Sequence, residues 1–182
     1  MSTTSPPPPR THDARGSRSG RVVLMCGPSG AGKSTYARAL ERAGWTRLSI
    51  DVSAWARGYR HWPVPVEVAR SVDAVHRARL HDLVEAGRDV VLDYAFATRA
   101  VREEYRALAA AAGAEAETWY VATPREVSLA RVRARVGRGP DEAVLTEERA
   151  AAHVDEFEVP TDAEPRVRVV RGAGPVVLPV TD

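Results

Sequence analysis

Apolar positions along this chain follow two habits: short unbroken runs, and longer stretches where they recur every three or four residues. The run "RVVLMC" (21–26) is rich in β-branched residues and too short for a helix, so it predicts a buried strand. Residues 33–43 then predict a helix stopped near Gly44, and "TRLSI" (46–50) a second strand ending at Asp51. Val66, Ala69, Val72, Val75, Leu80 and Leu83 fall at near-helical spacing over 66–86, with Gly87 as the stop. "DVVLD" (89–93), "ETWYVA" (117–122) and "RVRVVR" (166–171) complete the strands, and 100–112 and 125–136 the helices. Apolar strands alternating with helices predict an α/β fold, a parallel sheet covered on both faces.

The two ends break this rhythm. Residues 1–20, "MSTTSPPPPRTHDARGSRSG", hold almost nothing to bury and predict a disordered tail, polyproline-like over 6–9. Residues 173–182 predict a short extended tail, leaving one domain over 21–172. At 182 residues the chain is long enough to bury a sizeable core. A net charge of +2 is too small to argue for a nucleic-acid partner. One cysteine, Cys26, excludes an internal disulfide and suits a reducing compartment. No apolar run approaches the roughly 18 residues of a membrane span, and the first residues lack a signal-like apolar stretch. These features predict a cytoplasmic protein with no membrane partner.

One detail of composition changes the picture. Of 26 lysines and arginines, only Lys33 is a lysine. An ammonium is a compact point charge, a guanidinium a wide planar fork, and a tight loop around a phosphate has room only for the first. Lys33 stands in "GPSGAGKST" (27–35), where Gly27-x4-Gly32-Lys33-Ser34 matches a phosphate-binding loop between a predicted strand and a predicted helix. Gly27, Gly30 and Gly32 permit close backbone approach. The loop from Gly27 through Pro28, Ser29 and Ala31 to Thr35 then turns N–H groups toward a phosphate, and the helix N-terminus adds partial positive charge. Lys33 is placed to reach the β- and γ-phosphates, and Ser34 to ligate Mg²⁺. A chance Gly-rich turn would leave the lone lysine unexplained. The loop alone does not separate a kinase from a nucleotide-hydrolysing switch.

Asp51 and Asp93 close two predicted strands at the same end of the sheet as the loop. Ligands bind there in open parallel sheets, and a carboxylate in that place accepts a proton from a hydroxyl or orients metal-bound water. Helix N-capping is the structural alternative for each. Arg131 and Arg135, at i and i+4, and Arg138 in the following Gly-Pro segment are candidates to neutralise charge on a transferring phosphoryl group. Since this chain uses arginine for nearly every cation, ordinary surface roles compete.

Taken together, "GPSGAGKST", "LSID", "VVLD" and "REVSLARVRAR" resemble the small P-loop kinases related to chloramphenicol phosphotransferase, zeta toxins and phage-type polynucleotide 5′-kinase domains, over roughly residues 21–171. The resemblance implies a nucleoside-kinase-like P-loop NTPase with a five-stranded parallel sheet of order 2-3-1-4-5. It also implies a short Arg-rich lid and following helix within "RGPDEAVLTEERAAAHVDEFEVPTDAEP". The donor would be ATP or GTP with Mg²⁺ on Ser34. Asp51 would be the general base, Asp93 would hold acceptor or metal, Arg131 or Arg135 would join Lys33 on the phosphates, and Arg138 would lie beside the nucleotide.

The polynucleotide kinases carry an arginine three residues after the catalytic aspartate, where this chain has Ala54. That departure weakens a nucleic-acid substrate without removing it. Trp55, Tyr59, His61 and Trp62 crowd the same segment, and "DYAFATR" (93–99) adds Tyr94, Phe96 and Arg99. Such aromatics suit a wall for a flat or glycosidic small molecule, stack bases, or fill a core. The five histidines show no metal-ligand spacing, and Cys26 beside the loop is a candidate for oxidation. The expected function is phosphorylation of a hydroxyl on a small molecule, foremost an antibiotic such as chloramphenicol or a nucleoside like capuramycin. A polynucleotide 5′-hydroxyl kinase, a sugar-nucleotide kinase and a nucleotide-dependent switch are the alternatives, and oligomeric state is left open.

Overall fold

The computed structural model describes residues 19–60, 62–142, 144–172 and 178. The chain runs β1 (Val22–Cys26), α1 (Lys33–Arg42), β2 (Thr46–Leu48), α2 (Ile50–Ala56), α3 (Val66–Glu85), β3 (Val90–Leu92), α4 (Arg99–Ala111), β4 (Ala116–Ala122), α5 (Arg125–Arg133), α6 (Glu147–Asp155) and β5 (Val167–Arg171). The expected tail over 1–18, His61 and nearly all of 173–182 lie outside the described residues. Gly20 already belongs to the folded body: it is buried, and its N–H donates to the Val84 carbonyl at 3.2 Å.

All five strands are parallel, in the order β2-β3-β1-β4-β5, as the resemblance implied. β1 lies at the centre, and its side chains divide by strand alternation. Val22, Leu24 and Cys26 join Leu80 and Val84 of α3 and Tyr105 and Ala109 of α4 in one apolar layer. Val23 and Met25 face the other layer with Ala37 and Leu40 of α1, Trp45 and Trp119. Two covered faces explain why β1 and β3 are apolar and buried throughout. A third, smaller cluster of Leu129, Val132 and Ala150 joins α5 to α6, with Leu145 of the intervening lid packed against it.

Two elements differ from the sequence expectation. The second strand ends at Leu48, because Ser49 caps a helix: its hydroxyl accepts the Val52 N–H at 3.3 Å. Asp51 therefore sits in the first turn of α2, an element the sequence reading missed, and not at the tip of a strand. In α3 the buried stripe is Val72, His76, Leu80 and Val84, a spacing of four that admits a histidine. Val66 and Val75, expected in that stripe, are exposed.

A sealed ionic cluster ties α4 to the segment ahead of β5. Arg102 and Glu164 each have side chains 1% exposed. Arg102 Nε and Nη2 donate to the two Glu164 oxygens at 2.8 and 2.6 Å, while Nη1 reaches the carbonyls of Phe96 and Glu158. Arg106 adds a third contact to Glu164 at 2.9 Å. The Arg102 hydrogen bond holds the Glu164 carboxyl down at about 2, against the opposing effect of its own desolvation.

Candidate active site

The carboxyl ends of β1, β2, β3 and β5 lead to residues that line one crevice. From β1 the chain enters the glycine loop, whose conformation requires glycine in two places. Gly30 has φ +82°, and a Cβ there would stand 2.2 Å from the Ser128 carbonyl oxygen. Gly32 has φ +107° and opens α1. The loop is braced from behind: Thr123 Oγ1 donates to the Ala31 carbonyl at 2.7 Å, and the Pro28 carbonyl accepts from Lys33 Nζ at 2.9 Å. Ser29 Oγ and His153 Nδ1 of α6 are 3.1 Å apart.

Two cavities meet at this loop. The first, about 360 Å³, is lined by Gly30, Gly32, Lys33, Ser34 and Thr35 together with Arg131 and Arg135. The second, about 220 Å³, holds Asp51 and Asp93 against the apolar surfaces of Ile50, Trp62, Tyr94 and Leu145. Lys33, Ser34, Arg135 and Asp141 line both. A phosphate in the first cavity and a hydroxyl in the second would thus face each other across one short wall of two cations, a serine hydroxyl and the Asp141 carboxylate.

The electrostatics of that wall are uneven. Desolvation lowers the Lys33 ammonium below the ordinary lysine range, against the pull of Asp93 and Asp51. Burial lowers Arg135 as well, opposed by Asp51, Glu142 and Asp141. Asp51 moves the other way: desolvation first, then the charge of Asp93, push its carboxyl up to about 6, with Lys33 and Arg135 holding it back. A carboxyl poised near neutrality is suited to taking up a proton and releasing it again.

Not every expected residue arrives at the crevice. Helix α5 ends at Arg133, so Arg135 lies just past it instead of one turn along from Arg131. Arg135 still lines both cavities, and Arg131 lines the first while bracing the loop: its Nη1 donates to the Gly172 carbonyl at 2.6 Å and to those of Gly30 and Ala31 at 3.3 Å. Arg138 is exposed and lines neither cavity; its backbone N–H donates to Glu142 Oε2. Arg99 is also turned away, at the start of α4, with its Nε donating to Glu103 and its backbone N–H to Glu158.

Trp55 lies under the Arg60 guanidinium, 4.1 Å from ring centroid to Cζ, and lines not the acceptor cavity but a separate small pocket with Asp51 and Trp62. Tyr94 lines the cavity, its ring packed against Phe96 and Tyr105, while its hydroxyl is 2.7 Å from His76 Nδ1 and His76 Nε2 is 2.9 Å from Ser53 Oγ. His76 stays neutral because burial lowers it to about 4. Phe96, expected near the mouth, is buried in the core against Tyr94 and Tyr105. Cys26 is fully buried, and desolvation pushes its thiol up to about 11, so the expected sensitivity to oxidation finds no thiolate to act through.

Three further residues belong to the site. Arg47 of β2, Asp141 of the lid and His153 of α6 all reach the crevice region. Asp93 lines the acceptor cavity with one oxygen engaged: its side chain is 2% exposed and paired to Arg47, whose Nε donates to Asp93 Oδ2 at 3.1 Å. The signal for Arg47 was present in "TRLSI", where a charge interrupts a strand due to be buried and so demands a partner. Among the described residues, no group of three or more His, Cys, Asp or Glu side chains is arranged to hold a metal ion. No helix of the described residues is long and apolar enough to cross a membrane.

Comparison with known proteins agrees with this architecture. A gluconokinase from Sinorhizobium meliloti 1021 has a TM-score of 0.58 at 20% identity, over 87% of this chain and 85% of that one. A sugar kinase from Janibacter sp. HTCC2649 has a TM-score of 0.61 at 19% identity, over 86% and 87%. Kti12 from Chaetomium thermophilum, solved with ADP-AlF3, has a TM-score of 0.57 at 17% identity, over 82% and 88%. At such identities the likeness is one of fold. No curated protein matches the sequence. A family model described as an AAA domain matches residues 22–160, and with well over half of its length inside that match, this chain belongs to the AAA domain family.

Proposed function

We propose that the protein transfers the γ-phosphoryl group of ATP to a hydroxyl of a small molecule. The observation that carries this reading is the junction of the two cavities: Lys33, Ser34 and Arg135 line both, and Asp51 lies on the acceptor side. The glycine loop and Lys33 hold the β- and γ-phosphates in the larger cavity. The acceptor oxygen attacks the γ-phosphorus, the bond from that phosphorus to the β–γ bridging oxygen breaks, and ADP leaves. The hydroxyl proton passes to Asp51, and Arg135 with Lys33 offsets charge developing between the two oxygens.

Ser34 fits Mg²⁺ in the manner usual for phosphate-bound magnesium, where one or two protein oxygens suffice and phosphates and water supply the rest. Bound there, the ion would neutralise phosphate charge. The lack of a preassembled ligand cluster among the described residues agrees with such a shared site.

The acceptor cavity suits a compact molecule with one flat or apolar face, set against Trp62, Tyr94, Ile50 and Leu145. An antibiotic bearing a hydroxyl, modified for resistance, is the reading we favour, and sugar kinases share the fold. At the position where a polynucleotide kinase would grip its substrate phosphate, Ala54 is 2% exposed and packed inside α2, which favours a small molecule over an oligonucleotide. Mass spectrometry tests this directly. The protein, ATP and Mg²⁺ are incubated with hydroxyl-bearing antibiotics, sugars, nucleosides and a 5′-hydroxyl oligonucleotide, beside Asp51→Asn. One added phosphoryl mass on a small molecule, lost in the variant, is the expected result. Labelling of the oligonucleotide alone, or hydrolysis with no labelled product, overturns it.

A further inference from the structure

Arg47 stands mid-strand in β2 with a side chain only 6% exposed, a position that tolerates a guanidinium only with partners. Two carboxylates hydrogen-bond to it and belong to different parts of the site, while a third, the largely exposed Glu41, stands 3.9 Å from Nη1. Nε and Nη2 donate to Asp93 Oδ2, on the wall of the acceptor cavity. Nη2 also donates to Asp141 Oδ1, and Nη1 to Asp141 Oδ2 at 3.4 Å. Asp141 sits in the lid turn closed by the Glu142 N–H to Gly139 carbonyl bond, and it lines both cavities. Desolvation works against the charge on Arg47, but the hydrogen bonds to Asp141 and the charge of Asp93 more than offset it.

We propose that Arg47 is a positioning residue that latches the lid. Asp141 closes onto one side of its guanidinium while Asp93 is held on the other, so closure over the nucleotide and alignment of the acceptor wall become one event. The proposal rests on the phosphotransfer reading above. A fork is required, since one compact ammonium cannot present parallel donors to two carboxylates. Arg38 Nη1 also reaches Asp141, at 3.0 Å, but its side chain is 49% exposed, and such a surface pair contributes little. The buried half of the contact carries the latch.

Hydrogen exchange of the lid amides (137–146) in the nucleotide-free full chain tests this without any turnover. Asp141→Asn is expected to speed lid exchange about tenfold while leaving β1 and β3 unchanged. Asp141→Glu, which keeps the carboxylate, is expected to restore most of the protection. Arg47→Lys keeps a cation beside Asp93 and so guards the fold, yet its lid is expected to exchange as fast as that of Asp141→Asn. The combined variant should be no faster than either, because both changes remove one contact. Unchanged lid exchange in Asp141→Asn overturns the latch. So does a rise in Arg47→Lys spread equally over lid and sheet, or multiplying effects in the combined variant. If no acceptor is ever phosphorylated, the lid data still decide for or against the latch; if transfer occurs with lid exchange unmoved, the latch falls and the phosphotransfer reading stands.

Discussion

This molecule contains two buried arginine–carboxylate clusters that look alike in chemistry and differ in where they open. Around Arg102, every side chain in contact belongs to the body of the fold, and Arg102 and Glu164 are both 1% exposed. Around Arg47, one partner is part of a loop, and the lid residue Asp141 remains 15% exposed. The sealed cluster has one arrangement and fixes α4 against the chain ahead of β5. The open cluster has a partner able to leave, and it lies beside the cavities. Buried charge in this protein thus serves stability in one place and the approach of substrates in the other.

Four measurements sharpen that contrast, from the largest expected effect to the smallest. Asp51→Asn is expected to lower the rate of phosphoryl transfer by about 10²- to 10⁴-fold, the usual contribution of a positioned base, with no loss in the urea midpoint. Glu164→Gln is expected to do the reverse. Removing one partner of a buried pair costs about 3–5 kcal/mol, visible in urea unfolding, while the rate per folded molecule stays within about twofold of the original.

The third measurement is the pH dependence, where the two clusters separate cleanly. Asp51 must be ionised to accept a proton, so the rate rises with pH through about 6 and falls about tenfold between pH 7 and pH 5. For stability the sign is opposite: a carboxyl raised by folding is worth most below its unfolded value near 3.8, and that contribution is lost as pH climbs through about 6. Glu164 is depressed to about 2, so its stabilisation is fully present above 4.5 and fails only as pH falls toward 2. At pH 5 the rate should therefore be well down with the sealed cluster still intact. Last and smallest, Arg125→Ala breaks an exposed pair with Asp155 and should move neither the urea midpoint nor the rate measurably.

The parts of this design that could be read from the sequence are those dictated by backbone. Strands too short for helices, glycines in a loop that must wrap a phosphate, and a lysine where arginine does not fit all leave local traces, and the parallel sheet and the nucleotide cavity follow from them. The strand order was implied only by the resemblance to small P-loop kinases. The acceptor side left fewer traces. Helix α2 was hidden because "TRLSID" reads as a continuous strand unless Ser49 is recognised as a cap. Asp93 looked unpaired because nothing local shows that Arg47, 46 positions earlier in the chain, neutralises it. Arg99 and Arg138 were expected at the crevice, but Arg99 pairs with Glu103 and Arg138 is exposed outside both cavities. Tertiary pairing between distant residues decides such cases, and no short window of sequence contains it.

The single cysteine has a practical consequence. Its sulfur lies out of reach under the glycine loop and donates only to the Phe96 carbonyl at 3.6 Å, so at neutral pH almost none of it is thiolate. A cysteine introduced at Val144, exposed in the lid, would then be the sole thiol open to maleimide chemistry. The natural chain is already a clean background for a fluorophore that follows the lid in real time, with no native residue to remove first.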